Sequence, residues 1–176
     1  KFFEKDVTLY AHSPVSKIKK IVGDKFFENA FKFTIIRNPY DQILSFYSAY
    51  HKEKNFKQFI KKESSYFFNR ESELVFLKNQ LPYNKIIRYE NLENDLTDLS
   101  ELLKLPENLF EVFKKLNINK AKKKDYSLID YDSQEIIYKN AYKFFKEFNY
   151  SKNIKLWFQK SASIKINILL HFYFYF

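Results

Sequence analysis

An α/β fold in which a parallel sheet is flanked by helices is what this sequence predicts, and two observations carry the prediction. Short runs rich in aromatic and β-branched residues, FKFTII at 31–36 and KIIRY at 85–89, read as strands, the first of them buried. Between and after these runs apolar residues recur at helical spacing, so strand and helix alternate along the chain.

The first strand ends at Arg37, and the residues after it have the character of a helix start. Asn38 can serve as N-cap, Pro39 suits the first helical position with its fixed φ, and Asp41 lies near the positive helix end. Ile43, Phe46, Tyr47 and Tyr50 form one apolar face of that helix, while Asp41, Ser45 and Ser48 fall opposite. Ser45 is therefore expected to point away from the core. Phe56, Phe59 and Ile60 predict a further helix, and Leu74, Leu77 and Leu81 another before a turn at Pro82. After the second strand, Leu92, Leu96, Leu99 and Leu103 give a helix that stops near Leu105-Pro106. The last strong helix takes Asp132 as N-cap with Glu135 three residues on, and carries Ile137, Ala141, Phe144, Phe145 and Phe148 on one stripe. Beyond it, Ile164, Ile166 and Ile168 alternate with polar residues and lead into HFYFYF, an uncharged, aggregation-prone segment to which no function is assigned. One domain over residues 1–153 and a tail over 154–176 is the simplest division.

At 176 residues with 45% hydrophobic content the chain is long enough for one packed domain. Its abundant Phe, Tyr, Lys, Asn and Ile are residues of AT-rich codons, so coding bias accounts for the aromatics before function does. Against that background the three arginines, Arg37, Arg70 and Arg88, stand out as places where a planar, bidentate cation is needed. A net charge of +10 points to an anionic partner without choosing among nucleic acid, acidic glycan, membrane surface and nucleotide. There is no Cys, and His12, His51 and His171 are scattered, so neither a disulfide framework nor a zinc site with ordinary ligand spacing is available, and no metal is expected. No apolar run reaches the roughly 20 residues of a membrane span, so no transmembrane segment is expected.

A strand leading into Arg37 and a capped helix bearing Ser45 places a guanidinium and a hydroxyl beside a helix N-terminus, a combination that can hold a phosphate monoester. The plainer alternative is a surface arginine with a solvated serine.

The stretch Phe33 to Tyr50, FTIIRNPYDQILSFYSAY, resembles the 3′-phosphate-binding motif of sulfotransferases, a strand followed by R-N/D-P-x-D/E-x-x-x-S, including the spacing of eight between Arg37 and Ser45. The resemblance implies a P-loop NTPase-like sulfotransferase fold and 3′-phosphoadenosine 5′-phosphosulfate (PAPS) as co-substrate, with Arg37 and Ser45 on its 3′-phosphate and no metal. Residues 86–105, IIRYENLENDLTDLSELLKL, are similar to the family's strand-R-Y-E-x-L segment and the helix after it. Upstream, HSPVSKIKKIVGDKFF is similar to a block in the carbohydrate-type and bacterial branches, which makes His12 a candidate general base for the acceptor hydroxyl. The alternatives are a His12 that caps or packs a loop, and a carboxylate base.

Near the end, LNINKAKKKDY (116–126) and AYKFFKEFNY (141–150) resemble the family's N-K-S-K/R loop and closing Y-x-x-D-F-x-x-F-G-Y helix, with Ala121 for Ser, Phe144 for Asp and Asn149 for Gly. Lys120, Lys122, Lys123 and Lys124 read either as a solvated run or as counter-charge for an anion. The family's phosphate-binding loop for the 5′-phosphosulfate has no counterpart before Arg37, and the sole glycine, Gly23, sits alone in a helix-like context. The chain is accordingly read as N-terminally truncated or lacking the loop, and as a poor catalyst by itself.

The predicted activity is sulfuryl transfer from PAPS to an acceptor hydroxyl or amine, a carbohydrate among the candidates. The competing readings are an inactive sulfotransferase-like remnant, a kinase-like transferase and a basic nucleic-acid-binding module. Localisation is expected to be cytoplasmic for a bacterial-type enzyme, or the Golgi lumen if an N-terminal anchor precedes this chain.

Overall fold

The computed structural model describes residues 12–50, 55–116 and 124–156. In chain order the elements are α1 (Val15–Val22), α2 (Asp24–Asn29), β1 (Phe33–Ile36), α3 (Pro39–Tyr50), α4 (Phe56–Val75), β2 (Lys85–Arg88), α5 (Leu92–Leu102), α6 (Leu109–Leu116), α7 (Tyr131–Asn140) and α8 (Tyr142–Glu147). The architecture is mixed α/β, mostly helical, with a small parallel sheet.

Strands β1 and β2 pair in parallel, Ile35 opposite Ile87 and Ile36 opposite Arg88. Side chains alternate across a strand, so the two faces of the sheet feed two separate clusters. Ile36 and Ile86 face a large aromatic cluster built from α3, α4, α7 and α8. Ile35 and Ile87 face a smaller one built from Leu92, Leu96 and Leu99 of α5 with Phe110 and Phe113 of α6. Covering both faces is what a parallel sheet requires. β1 is less buried than its composition predicts: Ile36 is enclosed, whereas Phe33 is exposed.

The aromatics pack mainly against one another. Phe144 meets Phe68, Phe76 and Phe148, Phe46 stacks on Phe67 at 4.7 Å, and Tyr40 packs edge-on to Phe145 at 5.1 Å. Such pairs add to burial through their quadrupoles, and they place many of the described aromatics in the core.

Several element boundaries depart from expectation. Leu74, Leu77 and Leu81 do not form a helix of their own: α4 runs unbroken from its Asn55 cap through Val75, and Leu77 and Gln80 then close a tight turn with two reciprocal bonds of 2.9 Å. Lys78 and Asn79 take φ of 50° and 66° in that turn, the left-handed pair that a two-residue reversal demands. Gly23 is not inside a helix. With φ 82° it separates α1 from α2, a conformation that costs glycine nothing.

The cap of α7 is Asp130, whose side chain accepts from Ser133 N at 2.8 Å, and not Asp132, which pairs with Lys57 of α4. The predicted stripe is buried as expected, though over two helices that break at Ala141. Asn149 has φ 52° where α8 ends and Tyr150 N reaches back to Phe145 O at 3.0 Å. Asn tolerates the left-handed region better than most side chains, so it can replace glycine here. The α6 helix, with Phe110 and Phe113 inward, is additional to the predicted elements. Lys120, Ala121, Lys122, Lys123, the Ile164–Ile168 alternation and the tail beyond residue 156 lie outside the described residues.

Candidate anion-binding site

Because β1 and β2 are parallel and in register, the residues after both strands emerge side by side: Arg37 and Asn38 from one, Tyr89 and Glu90 from the other. Asn38 caps α3 as predicted. Its Oδ1 accepts from Tyr40 N at 2.9 Å, and its carbonyl accepts from Gln42 N at 2.9 Å. Asn38 N in turn donates to the Glu90 carboxylate, which also accepts from Tyr150 OH at 3.1 Å. The second strand is tied down by Arg88, whose Nη2 donates to Phe148 O at 2.8 Å and whose N donates to Asp95 at 2.6 Å. Asn38 is fully buried, and its Nδ2 has no partner among the described residues.

The Arg37 guanidinium carbon lies over the Tyr89 ring, 4.1 Å from its centroid, and Nε donates to Asp41 Oδ2 in the first turn of α3. Asp41 Oδ1 accepts from Lys124 Nζ at 2.7 Å and from the Tyr126 hydroxyl. The side chains of Arg37, Asp41 and Lys124 are 16%, 6% and 10% exposed, so this is an ion-pair knot largely removed from water. Burial works against the Arg37 charge, but Asp41 and the neighbouring tyrosines outweigh it and hold the guanidinium more basic than usual. Burial, reinforced by the Asp41 charge, pushes the Tyr126 hydroxyl up, so it stays a donor. Burial also raises the Glu90 carboxyl, against the pull of the Asn38 N–H.

Arg37 precedes α3 and bonds Asp41 in the first turn of the helix, and Ser45 lies one turn beyond Asp41 on the same face of α3. The expectation that Ser45 points away from the core needs correction: it is 6% exposed. α3 is enclosed by the aromatic cluster on one side and carries the Asp41 knot on another, and Asp41 and Ser45 are both buried. His12 is exposed, with φ 62°, just before α1, and among the described residues no hydrogen bond links it to Arg37 or Ser45. Sequence reasoning weighs Lys124 only within its lysine run and gives Asp41, Tyr126 and Tyr150 no part in the site. The one signal for them is their place in stretches that resemble the family.

Beside the knot, Gln42 Nε2 donates to Glu71 of α4 at 2.6 Å, and Gln42 Oε1 is buried without a partner among the described residues. Burial pushes the Glu71 carboxyl up to about 7, against the opposing pull of Arg70 and the Gln42 bond. From its ordinary value of 4.5 up to about 7 the folded chain therefore holds a proton that the unfolded chain has lost. Stability falls as pH rises through that window, on the order of 2 kcal/mol for this group. Glu71→Gln should flatten this part of the pH profile in urea melts at pH 5 and pH 8. An unchanged slope would show that Glu71 ionises normally.

Among the described residues no helix is long and apolar enough to cross a membrane, and no group of three or more His, Cys, Asp or Glu side chains could hold a metal ion. Comparison of the chain with protein families, with curated proteins and with solved structures returns no match.

Proposed function

We propose that this chain carries the 3′-phosphate half of a sulfotransferase site on a P-loop NTPase-like sheet, and that it serves sulfuryl transfer from PAPS to an acceptor hydroxyl or amine. The observation that carries the reading is convergence. The stretches that resemble the family, 33–50, 86–105 and 141–150, meet at one point through Asn38 and Glu90, Arg37 and Tyr89, and Glu90 and Tyr150. Random likeness in separate stretches gives no reason for them to meet at the carboxyl ends of two parallel strands.

In this reading Arg37 and Ser45 hold the 3′-phosphate, and the positive end of α3 favours its charge. The acceptor oxygen forms a bond to sulfur while the bond from sulfur to the 5′-phosphate oxygen breaks. 3′,5′-Adenosine diphosphate (PAP) leaves, and the acceptor proton passes to a base, for which His12 is the candidate.

Calorimetry of PAP against 5′-AMP tests the reading on the nucleotide site alone. PAP should bind at least about tenfold more tightly, since each charge-assisted bond to the extra phosphate contributes about 1.5–3 kcal/mol, and Arg37→Ala should abolish the preference. A chain that is folded by circular dichroism yet binds neither nucleotide overturns the assignment and leaves the inactive-remnant reading.

A further inference from the structure

We infer that Asp41 is a positioning residue of this site whose charge is offset by Lys124 and whose Oδ1 is also held by the Tyr126 hydroxyl, so that Lys124 and Tyr126 govern phosphate affinity without touching the phosphate. The inference rests on the sulfotransferase reading.

The geometry sets the problem. The Arg37 guanidinium is held beside Asp41 by its Nε bond, and Ser45 follows Asp41 one turn on along α3, so a phosphate bridging Arg37 and Ser45 must pass Asp41. A bare carboxylate there would repel it. Asp41 is not bare: its Oδ1 is taken by Lys124 Nζ at 2.7 Å and by the Tyr126 hydroxyl. Its Oδ2 takes Arg37 Nε, which fixes the guanidinium against Tyr89 and commits only one of its nitrogens. Among the described residues the two Nη groups have no acceptor and are left for a bidentate contact. Two cations and one carboxylate leave a single positive charge in the knot, and removing Lys124 removes that excess.

The test is a double-mutant cycle on PAP binding with the full chain, read by calorimetry. Lys124→Gln removes the positive excess of the knot, leaves Asp41 to Arg37 alone and should weaken binding by about tenfold or more. Adding Asp41→Asn restores the charge balance and keeps an acceptor for Arg37 Nε, so the double variant should recover to within about threefold of the starting chain. A double variant no tighter than Lys124→Gln overturns the inference, because a lysine that contacts the phosphate directly, or one that only packs, gives no rescue. If Lys124→Gln does not fold, Tyr126→Phe, alone and with Asp41→Asn, reads the same coupling through the other donor. Failure of the starting chain to bind PAP sinks the sulfotransferase reading and this inference together, whereas binding without rescue sinks this inference alone.

Discussion

Asp41→Asn in the otherwise unchanged chain should lower the unfolding free energy by about 3 kcal/mol, seen as an earlier midpoint in urea with an unchanged slope. The reason is the burial of the cations, not the strength of the pair. Arg37 and Lys124 are both largely out of water, and each depends on the one carboxylate between them. An exposed pair would be nearly neutral to removal, whereas two buried cations left without their counter-charge must be resolvated or move apart. The Tyr126 hydroxyl would lose its acceptor at the same time. A loss below about 0.5 kcal/mol would mean that both cations reach solvent in solution, and the knot would then be a surface feature.

Phe144→Ala should cost more, about 3–5 kcal/mol, enough to unfold a domain of ordinary stability at room temperature or leave it marginal. Phe144 is buried where α4, the segment after it and α8 meet, in ring contact with Phe68, Phe76 and Phe148. Truncation loses the ring's transfer free energy and opens a cavity that rigid aromatic neighbours cannot fill by sliding. The family resemblance has Asp at this position, and a carboxylate among these three phenylalanines would be still worse unless the surroundings changed with it. Loss of the cooperative thermal transition is the expected readout, with Phe144→Leu as the milder comparison.

What can be read from the sequence is local. The Asn38-Pro39 helix start, the existence of both strands and the buried stripe from Ile137 to Phe148 are written within a few residues of themselves, and the structure has them, with the first strand less buried and the stripe divided over two helices. Where two local signals compete, local reasoning has no way to choose. Asp130 and Asp132 are both good caps; Asp130 takes the Ser133 N–H, while Lys57, far away in sequence, lies against both carboxylates. Ser45 reads as solvent-facing because periodicity reports one buried face, and α3 has two covered sides. The partners that complete the site are illegible for the same reason. Glu90 reaches Asn38 across 52 residues, and Lys124 and Tyr126 reach Asp41 across 83 and 85. Only the sheet register and the helix packing bring these groups together.

Those separations make the site a product of chain closure. Tyr40 at the head of α3 donates to Lys152 O, 112 residues later, so the N-terminal end of the helix is fastened to the end of the described fold. Contacts that close such long loops form late, because their entropy must be overcome before they stabilise anything. Folding and assembly of the site are then one event. An anion bound beside Arg37 would then stabilise the whole domain through linkage rather than order a local loop.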